Sequence, residues 1–106
     1  MIGWDTDDKY EAGSGNDTVV AGNGDNDIDG GSGNDQGNVG NGNNTMRGGA
    51  GEDTLYAGNG DNDFDGGSGN DLGSFLDGDN TMDGGSGRDS LWAGNGDNLM
   101  KAGADA

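Results

Sequence analysis

The chain has 106 residues, among them 27 Gly, 21 Asp plus Glu and only 4 Lys plus Arg, for a formal net charge of −17, and it contains no Pro, Cys or His. Without imidazole or thiolate, the usual zinc and transition-metal sites, Ser-His-Asp and Cys-His devices and any disulfide framework are excluded, and so much negative charge repels nucleic acid. Leu, Ile, Val and Phe number 12 of 106, well under the share of about 20% below which a highly charged chain is expected to stay disordered.

Cations are the partners such a chain invites. No apolar run approaches the roughly 18 residues of a membrane span, and Met1-Ile2-Gly3-Trp4 lacks the basic and apolar regions of a signal peptide. The sequence therefore predicts a soluble chain with no membrane span, any export signal lying outside it.

A period in the sequence overrides the disorder that composition suggests. Read in nines from Gly3, the sequence runs through eleven consecutive blocks to Lys101 without an insertion. In chain order they are GWDTDDKYE (3–11), AGSGNDTVV (12–20), AGNGDNDID (21–29), GGSGNDQGN (30–38), VGNGNNTMR (39–47), GGAGEDTLY (48–56), AGNGDNDFD (57–65), GGSGNDLGS (66–74), FLDGDNTMD (75–83), GGSGRDSLW (84–92) and AGNGDNLMK (93–101). Gly stands second in nine of them and fourth in ten, and the sixth place is always Asp or Asn, which no accident of composition produces.

Each block predicts six residues of turn followed by three of strand. Gly supplies the left-handed and closely packed backbone, Asn and Asp tolerate the same region, and the tail carries one inward apolar side chain. The inward set is Tyr10, Val19, Ile28, Val39, Met46, Leu55, Phe64, Phe75, Met82, Leu91 and Met100. Gly37 and Gly73 replace the apolar residue of their own strands, and Val39 and Phe75, at the same side parity, are expected to refill the core. Coils stacked about 4.8 Å apart would pair these strands in parallel, and five and a half coils of 18 residues would make a rod of roughly 26 Å.

These blocks match Gly-Gly-x-Gly-x-Asp-x-U-x, and on that ground the chain resembles the RTX (haemolysin-type) nonapeptide repeat proteins, a pattern known as a Ca²⁺-binding β-helix repeat. The likeness covers 3–101. It implies an all-β, right-handed parallel β-roll (a β-solenoid) with two blocks per coil, forming one domain over 1–106 with short tails. It also implies Ca²⁺ held between neighbouring turns by the sixth-position Asp and backbone carbonyls, in proteins that are exported and fold outside the cell.

The sixth position separates two edges. Asp17, Asp35, Asp53, Asp71 and Asp89 recur every eighteen residues, and Asn26, Asn44, Asn62, Asn80 and Asn98 occupy the same slot in the intervening blocks. One edge of the stack is therefore all Asp and the other, after Asp8, all Asn. Ca²⁺ wants six to eight oxygens, and a carboxylate supplies charge as well as oxygen, so about four Ca²⁺ ions are expected in the gaps between Asp turns. On the other edge Asp8 and the five Asn are weaker candidates: either an amide ladder of the cross-β kind or weaker calcium sites. Asp25, Asp61, Asp79 and Asp97, one place earlier, are expected to point to solvent.

The thin core and high charge lead to the expectation of a chain disordered without calcium and folded with it. Other readings are available. Asp25-x-Asp27-x-Asp29-Gly30 and Asp61-x-Asp63-x-Asp65-Gly66 open like an EF-hand loop, but the twelfth place holds Gln36 or Leu72 and no amphipathic helix flanks either site. Asp27 and Asp29 are expected to share an outward strand face, with Arg47 between Asp29 and Asp65 and able to pair with either.

The face after the Asn turns shows Asp27, Asp29, Arg47, Asp63, Asp65 and Asp83. The face after the Asp turns shows Thr18, Val20, Tyr56, Leu72, Ser90 and Trp92, either a surface for docking or self-association or ordinary isolated apolar exposure. Trp4 could cap one end, and rods could join end to end. Ser14 with Asn16, Ser32 with Asn34 and Ser68 with Asn70 resemble the ranks of RTX-type ice-binding adhesins, although Ala50, Glu52 and Arg88 interrupt them. Closeness to consensus also fits a designed or excised β-roll. Catalysis is not expected, since a thin rod has no concave apolar pocket to perturb its carboxylates.

Overall fold

Position four of each block shows why the sequence must coil. Gly33 has φ 114°, a region costly for any residue with a side chain, and a Cβ on it would run into the carbonyl of Gly15, one coil back. Glycine therefore sets both the turn and the closeness of the stack. The structure, a computed structural model, describes residues 7–101 and 103; Trp4 lies outside them.

Between the turns run eleven strands: β1 Lys9–Glu11, β2 Thr18–Val20, β3 Asp27–Ser32, β4 Gln36–Asn38, β5 Thr45–Ala50, β6 Thr54–Ala57, β7 Asp63–Ser68, β8 Leu72–Phe75, β9 Thr81–Asp83, β10 Ser90–Trp92 and β11 Leu99–Lys101. The described residues contain no helix. Odd-numbered strands form one sheet, β1-β3-β5-β7-β9-β11, and even-numbered strands the other, β10-β8-β6-β4-β2.

All pairing is parallel, and every partner lies eighteen residues away, as in Ile28↔Met46, Met46↔Phe64 and Phe64↔Met82. The architecture is a β-solenoid with two blocks per coil, as the alternation of Asp and Asn implies. Strands β3, β5 and β7 are six residues long, twice the expected tail. They continue through the first three places of the following block because Gly31, Gly49 and Gly67, lacking side chains, pair directly from coil to coil.

The core is the single layer between the sheets. Val19, Ile28, Val39, Met46, Leu55, Phe64, Phe75 and Met82 are buried, with Tyr10 and Leu91 partly buried against them. Phe64 and Phe75 meet edge to face, ring centroids 6.3 Å apart at 83°. The space at Gly37 is filled by more than Val39: a Cβ there would stand 3.0 Å from Met46 Sδ and 3.1 Å from Leu55 Cδ1, while Phe64 closes on Gly73. Met100 departs from the inward set at 44% exposed, because β11 is the last strand of its sheet and pairs only with β9.

Two further expectations need correction. The body measures 36 × 33 × 12 Å, so it is a slab and not a rod: two of its extents are nearly equal, while the third is close to the roughly 10 Å that separates two facing sheets. Arg47, level with Asp29 and Asp65 in the register, pairs with neither. Its Nη2 donates diagonally to Asp27 Oδ1 at 3.2 Å, a reach that a long side chain has on a pleated surface.

Candidate metal edge

The sixth-position residues end up where the eighteen-residue spacing puts them, in two columns at opposite edges of the slab. Asp35, Asp53 and Asp71 are buried, and Asp17 and Asp89, toward the two ends of the column, are half-buried. The column is tied by backbone donors: the N–H of Asp17 donates to Asp35 Oδ1 (2.8 Å), Asp35 to Asp53 (2.8 Å), Asp53 to Asp71 (2.8 Å) and Asp71 to Asp89 (2.9 Å). One carboxylate oxygen of each Asp from Asp35 to Asp89 is thus satisfied.

The other is not. Oδ2 of Asp17, Asp35, Asp53, Asp71 and Asp89 is in each case buried without a hydrogen-bond partner. An acceptor in that state costs about 1–3 kcal/mol, and more if charged. Desolvation accordingly raises the pKa of Asp35 and Asp53 and pushes that of Asp71 up to about 7, with the neighbouring carboxylates adding to the rise and the backbone hydrogen bonds opposing it.

Glycine at the first place of the block opens a small cradle at four of these five oxygens, all but that of Asp17, a feature that positions two, four and six of the consensus do not signal. A Cβ on Gly30 would lie 2.7 Å from Asp35 Oδ2 and 2.7 Å from the carbonyl oxygen of Gly48 on the next coil. A Cβ on Gly66 would lie 2.5 Å from Asp71 Oδ2 and 2.7 Å from the Gly84 oxygen, and one on Gly48 would press on Asp53 Oδ2 with the Gly66 oxygen at 2.7 Å. The carboxylate of one coil and the carbonyl of the next therefore converge on the same bare spot. Among the described residues no three acidic side chains meet at one point, so a cation here would draw on these backbone oxygens. Hard, all-oxygen donors bearing negative charge are those Ca²⁺ takes.

The Asn edge solves the same problem with amides. Asn26, Asn44, Asn62 and Asn80 are buried. Oδ1 of Asn44 accepts both the backbone N–H (2.9 Å) and the Nδ2 (3.1 Å) of Asn26, and the pattern repeats from Asn44 to Asn62, Asn62 to Asn80 and Asn80 to Asn98. Each Nδ2 also donates to carbonyls of its own turn, for Asn62 those of Gly58 (3.4 Å) and Gly60 (3.1 Å). Of the two arrangements open for this edge, the amide ladder is the one the side chains make, and Asp8 joins it through its N–H to Asn26 Oδ1 (3.1 Å).

Asp25, Asp61, Asp79 and Asp97 are exposed, as their place in the turn suggests. The structure adds outer ladders that run the opposite way: Asn43 N–H to Asp25 Oδ1 (2.8 Å), Asp79 to Asp61 (2.8 Å), and at the third place Asn59 to Asn41 (2.9 Å). The recurrence of Asn and Asp at those places was the available signal.

The model of the RTX calcium-binding nonapeptide repeat, in four copies, matches residues 3–36, 38–72 and 76–106. Among curated proteins and among solved structures there is no match.

Proposed function

Because the chain belongs to the RTX calcium-binding nonapeptide repeat family, we propose that it is a calcium-dependent structural module whose ions sit along the Asp edge alone. Asp35, Asp53 and Asp71, with Asp89 toward one end of the column, are the carboxylates we assign to them, together with carbonyls of the first-position glycines. Bound Ca²⁺ supplies positive charge to oxygens that have no donor. The chain's own residues do the rest: Oδ1 holds each carboxylate to the backbone of the neighbouring coil, Oδ2 faces the cradle, and the core keeps the edge in register.

The observation that carries this reading is the contrast between edges of one molecule. Five carboxylate oxygens are buried without a partner, whereas the equivalent Asn amides are hydrogen-bonded along the whole opposite column. On the Asn edge both donors and acceptors are spent, so that edge needs no metal.

Folding follows from ligation on this reading. The core is one side chain thick, and ten acceptor oxygens of stacked carboxylates repel one another until a cation lies between them. Without calcium the chain is unfolded; in extracellular calcium it forms the slab, which suits a secreted protein. Far-UV circular dichroism of chelated protein, followed by return of calcium, tests the proposal. Parallel-sheet signal that appears only with calcium supports it, and a spectrum indifferent to excess EGTA refutes it.

A further inference from the structure

Positions one and six of the repeat alternate in phase. The Asn turns of blocks 21–29, 39–47, 57–65, 75–83 and 93–101 open on Ala21, Val39, Ala57, Phe75 and Ala93, whereas four of the five Asp turns open on Gly30, Gly48, Gly66 and Gly84. The exception is Ala12, which opens the turn of Asp17.

On the Asn edge the opening side chain belongs to the core: Ala21, Val39, Ala57 and Phe75 are buried and Ala93 packs beside them. On the Asp edge the missing side chain leaves the cradle bare. The four glycines are not there for backbone reasons, since none of them is among the glycines with positive φ. They are there for space. A methyl group at Gly30 or Gly66 would stand 2.5–2.7 Å from a carboxylate and a carbonyl oxygen, closer than real Cβ atoms approach, and would cover the lone pairs that a Ca²⁺ ion reaches at 2.3–2.6 Å.

Resting on the calcium reading above, we propose that the first residue of each block selects which turns take an ion: glycine leaves the paired oxygens bare, and any side chain closes them. Ala12 therefore closes the gap between Asp17 and Asp35. Of the four gaps between the Asp turns, only those opened by Gly30, Gly48 and Gly66 hold calcium. Asp17 keeps its backbone hydrogen bond to Asp35 Oδ1 and serves the ladder without serving a metal.

The test is the number of ions bound at saturation, measured by calorimetric titration of chelated protein and by metal analysis after equilibrium dialysis. Ala12→Gly removes one methyl group, adds no ligand, and is expected to bind one ion more than wild type. Gly48→Ala removes no ligand and is expected to bind one fewer, with parallel-sheet circular dichroism retained in calcium. If Gly48→Ala fails to fold, Ala12→Gly still decides the matter by its gain. A wild-type chain that binds calcium while Ala12→Gly gains nothing, or while folded Gly48→Ala keeps the full count, overturns the selector alone. A wild-type chain that takes up no calcium overturns the metal reading and the selector with it.

Discussion

Asp53→Asn changes one atom type at the most buried point of the Asp edge, and opposite effects are expected in two solutions. Asp53 is 1% exposed, its Oδ1 accepts the Asp35 N–H at 2.8 Å, and its Oδ2 is unpartnered. An amide keeps the first bond and turns the orphan acceptor into a donor, as Asn62 does with the Gly60 carbonyl at 3.1 Å. In EGTA the variant recovers the cost of one buried unsatisfied group, about 1–3 kcal/mol.

In calcium the same variant loses a charged ligand. An ion present at about 100 times its dissociation constant stabilises the fold by about 2.7 kcal/mol, and that contribution falls away. Trimethylamine N-oxide titration in EGTA, which drives burial by exclusion, should show a lower midpoint for the variant than for wild type. Urea titration in saturating calcium should show a lower midpoint too, there meaning lower stability. A variant destabilised equally in both solutions would reduce Asp53 to a hydrogen-bond acceptor, and one unaffected in calcium would remove it from the ligand set.

Acid should partly replace calcium. The folded pKa values of Asp35, Asp53 and Asp71 are raised by desolvation, that of Asp71 to about 7, against about 4 in the unfolded chain. A raised carboxylate pKa means more protons bound when folded, so the calcium-free slab is favoured below pH ~4 and loses that stabilisation as the pH rises toward 7; osmolyte midpoints in EGTA measured across that window should climb with pH, and a flat profile contradicts the burial. Asn62→Asp creates an orphan acceptor beside Ala57 on the other edge and should cost about 1–3 kcal/mol in calcium and in EGTA alike; rescue by calcium would contradict a metal-free Asn edge. Phe64→Ala empties the centre of the core, with an expected loss of about 3–5 kcal/mol, read as a higher calcium concentration at the folding midpoint. An unchanged midpoint would mean that ligation is not coupled to packing.

The period was enough for the stack because each coil repeats the same contacts. Alternation of Asp and Asn at position six fixed the eighteen-residue register seen in every strand pair. The composition, which argues for disorder, ignores order along the chain, and the period carries what composition leaves out. What could not be read was distance. Nothing in the spacing says that the coil is as wide as the stack is tall, that Arg47 reaches back to Asp27, or that Met100 ends up half out of the core.

The Asp and Asn columns were legible in the sequence, but not what their side chains meet. A column of carboxylates suggests a cation, yet the contrast between the two edges lies in which oxygens already have donors. That depends on the amide of Asn44 meeting Asn62, and on the absent side chain at Gly48. Position one alternates in phase with position six, a pattern hidden because glycine there reads as one more turn residue.

Crystals grown in calcium and measured for anomalous scattering would locate the ions themselves. Ions are expected beside Asp35, Asp53 and Asp71 and none along Asn26, Asn44, Asn62 and Asn80. Density for ions on the amide column, or an intact slab with none beside those three carboxylates, would contradict a calcium edge built from Asp alone.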